Sequence, residues 1–170
     1  MRDKRRDTLR ALVAAPFALL PSLAACGKDA RAAPPVGTHL VLPDLPLIDG
    51  GTFRAAEARG KVVAIYWWAS WCPFCAEMSP HVEKLWIAQR ERGLTVLGIS
   101  TDRTIDAART YRHKRGLTFP STWFEPRMEP YLPKPKSIPV TWVRGRNGRI
   151  AMTETGQMFP EDVAGIARFL

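Results

Sequence analysis

The stretch that decides the fold is residues 61–75, which read KVVAIYWWASWCPFC. Residues 62–68 form an unbroken apolar run, rich in β-branched and aromatic side chains, which is typical of a strand buried on both faces. After a short break, two cysteines separated by two residues follow at Cys72 and Cys75. The order predicts a buried strand that leads directly into a cysteine pair.

A helix is predicted directly after that strand, from about Pro73 to Arg92, with Gly93 as its stop signal. Pro73 suits the first helical position, because the backbone N–H that it lacks would have no partner there. Cys72 is then the N-cap and faces unpaired backbone N–H groups at the positive end of the helix dipole. Both features favour the reactive thiolate at Cys72. Cys75 lies one turn further in, near enough to attack a mixed disulfide formed at Cys72.

The rest of the chain alternates predicted strands and helices. Residues 39–48 alternate loosely and end in the turn signal Asp49-Gly50, which predicts an N-terminal hairpin. The complete order, ββ then βαβα then ββα, predicts an α/β fold. The elements expected after the first helix are a strand at 94–100, a helix at 104–115, a short strand at 121–124, strands at 139–144 and 149–153 joined around Asn147-Gly148, and a last helix from Pro160 with Val163, Ile166, Ala167 and Leu170 on one face.

The N-terminus has the order of a bacterial export signal. Residues 1–10 carry a net charge of +3, and an apolar run interrupted by two prolines follows at residues 11–25. A membrane-spanning helix needs ~20 apolar residues, so this shorter run predicts a cleaved signal peptide at residues 1–25. The sequence Leu23-Ala24-Ala25-Cys26 resembles the lipobox of bacterial lipoproteins, which implies a lipid on Cys26 at the mature N-terminus. The alternative is an ordinary signal peptide that happens to contain a cysteine.

The remaining chain is predicted to be a short linker and one domain. Residues 26–37 are small, polar and proline-containing, as expected of a lipid-anchored linker, and residues 38–170 suffice for one domain with its own core. Of the net charge of +9, +6 lies outside the first ten residues. That moderate basicity suits an acidic partner or an anionic membrane surface, and no aromatic-interleaved basic motif indicates nucleic acid.

Cysteine usage also favours redox chemistry. The chain has three cysteines, and lipidation of Cys26 would leave only the pair at Cys72 and Cys75. An exported protein with a single C-x-x-C pair has no framework of structural disulfides. The two thiols are therefore predicted to carry chemistry rather than to hold the fold together.

Residues 66–75, YWWASWCPFC, resemble the active-site stretch of thioredoxin-like proteins, in particular the TlpA, ResA and DsbE group. Further features match that group in order and spacing over about residues 40–170: Pro80 inside the helix, Thr118-Phe119-Pro120 after the second buried strand, Ile138-Pro139-Val140-Thr141 as a cis-proline loop, and a hairpin at residues 146–150. The resemblance implies a thioredoxin-like α/β fold, with a central mixed sheet flanked by helices, an N-terminal hairpin and a central insertion.

The resemblance also implies a function. The implied function is that of an exported thiol–disulfide oxidoreductase without a cofactor or metal. Such a protein reduces disulfides of envelope proteins, here by exchange at Cys72 and Cys75. Apocytochrome c, during cytochrome c maturation, and copper-site assembly proteins are examples of such substrates. The implied partners are these proteins, a transmembrane dithiol electron donor, and the membrane on the periplasmic side through Cys26. The residues expected to contact substrate are Trp71, Pro73, Phe74, Ile138 and Pro139.

Two positions depart from the resembled group. Tyr66 stands where thioredoxin has a buried aspartate, and Met78 stands where many relatives have a glutamate three residues past the second cysteine. Glu77 comes one place earlier, on a different helix face, and is interpreted as a solvated surface charge. The residue that assists proton transfer at Cys75 therefore stays open.

A copper metallochaperone is the alternative function. Cys72, Cys75, Met78 and His81 offer thiolate, thioether and imidazole ligands, and sulfur ligands suit Cu(I). A structural zinc site would need a second cysteine pair, and covalent haem would need histidine where the chain has Ala76.

The dipeptide between the cysteines predicts a reductant rather than an oxidant. Strong oxidants of the resembled fold carry a histidine there, which stabilises the thiolate. Pro73-Phe74 offers neither a donor nor a charge. Only the helix terminus is left to stabilise the Cys72 thiolate, so the reduced form is predicted to be less favoured.

Overall fold

The structure, a computed structural model, describes residues 33–170. The predicted signal peptide at 1–25, Cys26 and most of the linker lie outside the described residues. The strands are β1 (Leu45–Pro46), β2 (Thr52–Phe53), β3 (Val62–Trp68), β4 (Leu94–Ser100), β5 (Ser121–Trp123), β6 (Val140–Arg144) and β7 (Ile150–Thr155). The helices are α1 (Pro73–Gln89), α2 (Ile105–Arg115) and α3 (Pro160–Gly165), with 3-10 turns at Ala55–Ala58, Arg90–Arg92, Pro126–Met128 and Ile166–Phe169.

The main sheet has five strands in the order β5-β4-β3-β6-β7. The central strand β3 runs parallel to β4 and antiparallel to β6, and β5 is parallel to β4. All seven residues of β3 are buried, as its unbroken apolar run predicted. A mixed sheet with these helices confirms the expected thioredoxin-like α/β fold.

The three α-helices cover one face of the sheet. The steps from β3 to β4 and from β4 to β5 go in the same direction, so right-handed crossovers place α1 and α2 on the same side. The helix α3 packs against α1. This face holds the alternate β3 side chains Tyr66 and Trp68 together with Cys75 and Val82 of α1. Within residues 33–170, no helix combines the length and apolarity needed to cross a membrane.

The opposite face is covered without an α-helix in the described part of the chain. Leu40, Leu42 and Phe53 of the N-terminal segment pack there with Met128 and Leu132 of the β5–β6 connection. That connection contains four prolines between residues 126 and 135, and proline breaks a helix interior. Helices therefore flank only one face of this sheet, and irregular chain closes the other.

The N-terminal hairpin is confirmed but short. Its strands β1 and β2 have two residues each, and Pro46, at the end of β1, has no backbone N–H to donate to the ladder. Residues 39–44, expected to be part of the first strand, lie outside any strand. His39 forms an isolated bridge with Arg149, and the Leu40 N–H donates to the Gly148 carbonyl at 2.9 Å. The segment thus packs at the β6–β7 turn.

The last helix buries the predicted face and ends earlier than expected. Val163 and Ile166 are buried, and Ala167 and Leu170 are half-buried. The α-helical part ends at Gly165, and a 3-10 turn continues from Ile166. Glycine has low helix propensity, which accounts for the change at this point.

Candidate active site

The cysteine pair lies where β3 passes into α1, at the carboxyl edge of the parallel strands. Cys72 is the N-cap of α1 with an extended backbone, and Pro73 occupies the first turn. The Cys75 N–H donates to the Cys72 Sγ over 3.2 Å. The two cysteines form a disulfide, with their Cα atoms 5.2 Å apart. The predicted N-cap position of Cys72 is confirmed.

The two sulfurs differ in access. Cys72 keeps 3% of its surface exposed, whereas Cys75 is fully buried. Cys75 packs in the part of the core that lies between the sheet and the helices. An incoming disulfide can therefore reach only the Cys72 side of the pair.

The loop before β6 closes on the pair. The Ile138–Pro139 peptide bond is cis, which confirms that prediction. Val140 then starts β6 and pairs with Trp67 of β3. This register brings the Ile138 carbonyl oxygen to 3.9 Å from the Cys72 Sγ. A backbone segment able to hydrogen-bond with an extended peptide thus lies beside the reactive sulfur.

Exposed aromatic side chains surround the pair. Trp71 is 65% exposed and Phe74 is 55% exposed, although burial of such side chains is favourable. The structure brings Trp71 and Ile138 together in a groove of about 400 Å³, which Thr101 and residues 134–137 also line. We call it the loop groove. Of the other residues expected to contact substrate, Pro73 is exposed and Pro139 is buried.

Tyr66 occupies the interior position beside Cys75. Its hydroxyl donates to the Cys75 carbonyl at 3.2 Å and lies 3.2 Å from the Ser79 Oγ, which also bonds that carbonyl. Burial raises the pKa of Tyr66 far above its usual range. The phenol therefore stays protonated and cannot act as a base near neutral pH. Its visible role is to hold the first turn of α1.

Glu77 and Met78, the residues beside and at the position where many relatives have a glutamate, do not supply a buried acid. Glu77 is exposed and its carboxylate accepts from the Gln157 amide at 2.7 Å, in agreement with a surface charge. Met78 is buried and has no proton to exchange. Neither of them therefore serves as a proton-transfer residue for Cys75 in the described part of the chain.

Asp102 is a part of the site that sequence reasoning missed. It is 5% exposed, and its carboxylate accepts from the Ser70 N–H at 3.1 Å, the Ser70 hydroxyl at 2.7 Å and the Ser100 hydroxyl at 2.8 Å. These bonds fix the chain two residues before Cys72. Its position two residues after the end of β4 was a usable signal, because the carboxyl ends of parallel strands meet at one edge of a sheet.

The arrangement does not favour His81 as a copper ligand in the metallochaperone alternative. His81 is nine residues after Cys72, which is about 13 Å along a helix at 1.5 Å per residue. It lines a different groove, between α1 and α3, with Leu85 and Pro160. Among residues 33–170, no three His, Cys, Asp or Glu side chains lie close enough together to hold a metal ion.

A thioredoxin-like sheet with a disulfide at the N-terminus of its first α-helix, beside a cis-proline loop, defines the class of thiol–disulfide oxidoreductases. The AhpC/TSA family model matches residues 36–123. The chain belongs to this family.

Similar proteins carry the same activity in their names. The chain is 26% identical to the thiol–disulfide oxidoreductase ResA of Geobacillus thermodenitrificans over 175 residues, which covers 96% of the chain and 95% of that protein. ResA of Geobacillus kaustophilus is 26% identical over 71% of each protein. Together with the cysteine geometry, these relatives identify the chain as a thiol–disulfide oxidoreductase.

Solved structures show the same fold. A thiol:disulfide interchange protein from Chlorobium tepidum superimposes with a TM-score of 0.71 at 21% identity, over 80% of this chain and 97% of that one. A secreted Mycobacterium tuberculosis disulfide oxidoreductase, described as homologous to Escherichia coli DsbE, gives 0.63 at 21% identity, over 75% and 95%.

Proposed function

We propose that the protein is a reductase of disulfides in cell-envelope proteins, in which Cys72 attacks the substrate and Cys75 resolves the mixed disulfide. One observation carries this assignment of roles. Cys72 is the N-cap of α1 and receives the Cys75 N–H on its sulfur, while Cys75 is fully buried. The N-cap position favours the thiolate at Cys72, and burial keeps Cys75 for the second step.

The proposed reaction transfers two electrons to the substrate. The Cys72 thiolate attacks one sulfur of a substrate disulfide, which forms a mixed disulfide and releases a substrate thiolate that takes up a proton. The Cys75 thiol then loses its proton and attacks the Cys72 sulfur. The second substrate thiolate leaves, and the Cys72–Cys75 bond forms. A further dithiol must reduce that bond before the next cycle.

The substrate chain is proposed to lie along the loop before β6. The Ile138 carbonyl, near the Cys72 sulfur, offers a backbone acceptor to an extended segment. Trp71, which lines the loop groove with Ile138, and the exposed Pro73 and Phe74 offer further contact surface beside the pair, and Pro139 fixes the loop. Apocytochrome c and copper-site assembly proteins are candidate substrates of this kind.

We further propose that the protein works on the periplasmic side of the envelope, attached through a lipid on Cys26. The charged, apolar and lipobox order of residues 1–26 supports this location. An oxidising compartment cannot supply electrons to a reductase, so a transmembrane dithiol donor is the proposed source. Residues 26–37 would tether the domain near that donor.

Single-cysteine variants test the roles. Cys72→Ser is expected to abolish reduction of insulin disulfides, because the attacking sulfur is gone. Cys75→Ser is the matched variant: it keeps the attack and should accumulate mixed disulfides that dithiothreitol releases. Limiting iodoacetamide should label Cys72 first in the reduced protein. Labelling of Cys75 first, or trapped complexes with Cys72→Ser instead, would contradict the assignment.

A further inference from the structure

Asp102 is a buried acidic side chain that has hydrogen-bond donors around it but no ion-pair partner. The described part of the chain buries three charged side chains, which are Glu83, Asp102 and Arg112. Arg112 forms an ion pair with Asp49 at 2.8 Å. Among residues 33–170, no lysine, arginine or histidine forms an ion pair with Asp102. Aspartate is almost never this deeply buried unless it is paired, so the residue needs an explanation.

The Asp102 carboxylate lies close to the reactive sulfur. Both of its oxygens lie 3.1 Å from the Ser70 backbone nitrogen. The Cys72 N–H donates to the Ala69 carbonyl at 3.2 Å, so residues 69–72 form a tight turn. Two residues span at most about 7 Å, which places the carboxylate on the order of 10 Å from the Cys72 sulfur. Glu83 is eleven residues after Cys72, about 16 Å along a helix.

The position of Asp102 is also fixed. Its backbone N–H donates to the Ser100 hydroxyl at 3.1 Å, and its own carbonyl accepts the Trp123 indole N–H at 2.8 Å. The neighbouring Thr101 N–H donates to the Trp68 carbonyl at 2.8 Å. The carboxylate therefore cannot swing into solvent without breaking several hydrogen bonds.

A fixed negative charge at this place acts on the two redox states differently. A nearby like charge disfavours ionisation of a second group, so the carboxylate opposes a thiolate at Cys72. The disulfide carries no charge and is affected much less. The other charged side chains around the pair, Glu77, Arg103 and Lys134, are exposed, and water and salt screen exposed charges more than buried ones.

We propose that Asp102 keeps the cysteine pair reducing, because its buried charge destabilises the Cys72 thiolate relative to the disulfide. This inference rests on the proposed function and names the residue that tunes its redox potential. The N-terminus of α1 favours the thiolate, and the carboxylate offsets part of that effect. The reduced form then gives up its two electrons more readily. Asp102 acts through its charge and through the turn at Ser70, so it is a positioning residue and not a catalytic one.

Asp102→Asn removes the charge but keeps the size of the side chain and an oxygen that can accept from Ser70. The protein is equilibrated with glutathione, where the Cys72–Cys75 disulfide takes up two electrons and two protons and two glutathione thiols become one glutathione disulfide. We expect the equilibrium constant for this reduction to rise about 3- to 10-fold, as loss of a charge at that distance implies. At about 30 mV per tenfold change, the midpoint becomes about 14 to 30 mV less negative. The pH dependence of iodoacetamide labelling at Cys72 should move to lower pH.

Two further variants separate the charge from the structure. Asp106→Asn removes a carboxylate that is 80% exposed and paired with Arg109, and should keep the wild-type midpoint and labelling profile. Ser70→Ala keeps the Asp102 charge but removes a hydroxyl that donates to it at 2.7 Å. The charge is then less compensated, so the midpoint should become more negative. This variant decides the matter even if Asp102→Asn does not fold.

An unchanged midpoint in Asp102→Asn, an equal shift in Asp106→Asn, or a Ser70→Ala midpoint that is unchanged or less negative would each overturn the role of Asp102. None of these results would affect the proposed reductase. The midpoint of the wild-type protein tests the proposed function, whereas the differences between the variants and wild type test this inference.

Discussion

Tyr66 illustrates how one buried side chain makes stability depend on pH. Its folded-state pKa is raised because burial disfavours the phenolate, whereas the unfolded chain titrates near its ordinary value of about 10. The folded state therefore binds the proton more tightly, and the stability from this group is present below about pH 10 and lost as pH rises further.

We expect Tyr66→Phe to remove that alkaline loss and to lower stability at neutral pH by about 0.5–1.5 kcal/mol, the usual net value of a hydrogen bond. Denaturant unfolding from neutral to alkaline pH measures both effects. Tyr131→Phe changes an exposed tyrosine and should keep the wild-type pH dependence. An unchanged alkaline slope in Tyr66→Phe would contradict the explanation.

Asp102 is expected to be the most costly acidic residue to remove near the site. Asp102→Ala leaves the Ser70 N–H and two hydroxyls without their acceptor, which should destabilise the oxidised protein by about 2–3 kcal/mol. Asp106→Ala removes a carboxylate that is 80% exposed and paired with Arg109, and should cost less than about 1 kcal/mol. Equal losses in the two variants, measured by denaturant unfolding, would show that the Ser70 network is not stabilising.

Single residues were predictable where local chemistry sets their position. Pro73 marked the start of α1 and so placed Cys72 at the N-cap. Asp102 was not predictable from pattern alone, because its importance comes from the order of the strands in the sheet. Its contact with Ser70 joins residues that are 32 positions apart in the chain.

Strand β4 shows how closely the side chains pack on the sheet face that the helices cover. A Cβ added to Gly98 would overlap the Ser121 hydroxyl and come within 2.7 Å of the Phe119 ring and 3.0 Å of the Trp68 indole nitrogen. Overpacking of a core costs about 1–3 kcal/mol. The glycine therefore makes room for Trp68 on the neighbouring strand.

Gly98→Ala should accordingly lower the free energy of unfolding by about 1–3 kcal/mol. The matched change Gly165→Ala, at the end of α3 where the nearest atom is a flexible Arg168 nitrogen at 3.4 Å, should be neutral or stabilising by up to about 1 kcal/mol. Thermal unfolding of the two variants makes the comparison. A Gly98→Ala protein as stable as wild type would show that the side chains on this sheet face can move to accommodate the added methyl group.

The helices and strands were predicted well where the hydrophobic periodicity and the stop signals agree. The apolar run of β3, the Gly116 stop of α2 and the turn at Asn147-Gly148 all lie where the sequence placed them. The N-terminal hairpin was overestimated, because residues 39–44 alternate like a strand but His39 and Leu40 pair at the β6–β7 turn instead. The irregular chain that covers the sheet face without α-helices results from tertiary packing, which local sequence patterns do not predict.

At the scale of the whole molecule, the proposed lipid anchor can be tested by the mass of the mature protein and by the cell fraction in which it is found. Cleavage before Cys26 and lipidation should give a mature protein that fractionates with membranes and carries added lipid mass. Cys26→Ala should release the domain or block its processing, with the redox activity of residues 38–170 retained. A mature protein without lipid on Cys26 would contradict the anchor and leave the oxidoreductase assignment untouched.

The central claim is that the Cys72–Cys75 pair is a reductant, and its equilibrium with glutathione or dithiothreitol tests this most directly. Because Pro73 and Phe74 add no charge or donor to stabilise the thiolate, the midpoint potential should lie nearer the about −270 mV of thioredoxin than the about −120 mV of the strongest oxidants. Thiol labelling across a redox titration gives the value. A midpoint near −270 mV would support a protein-disulfide reductase, and one near −120 mV would contradict it.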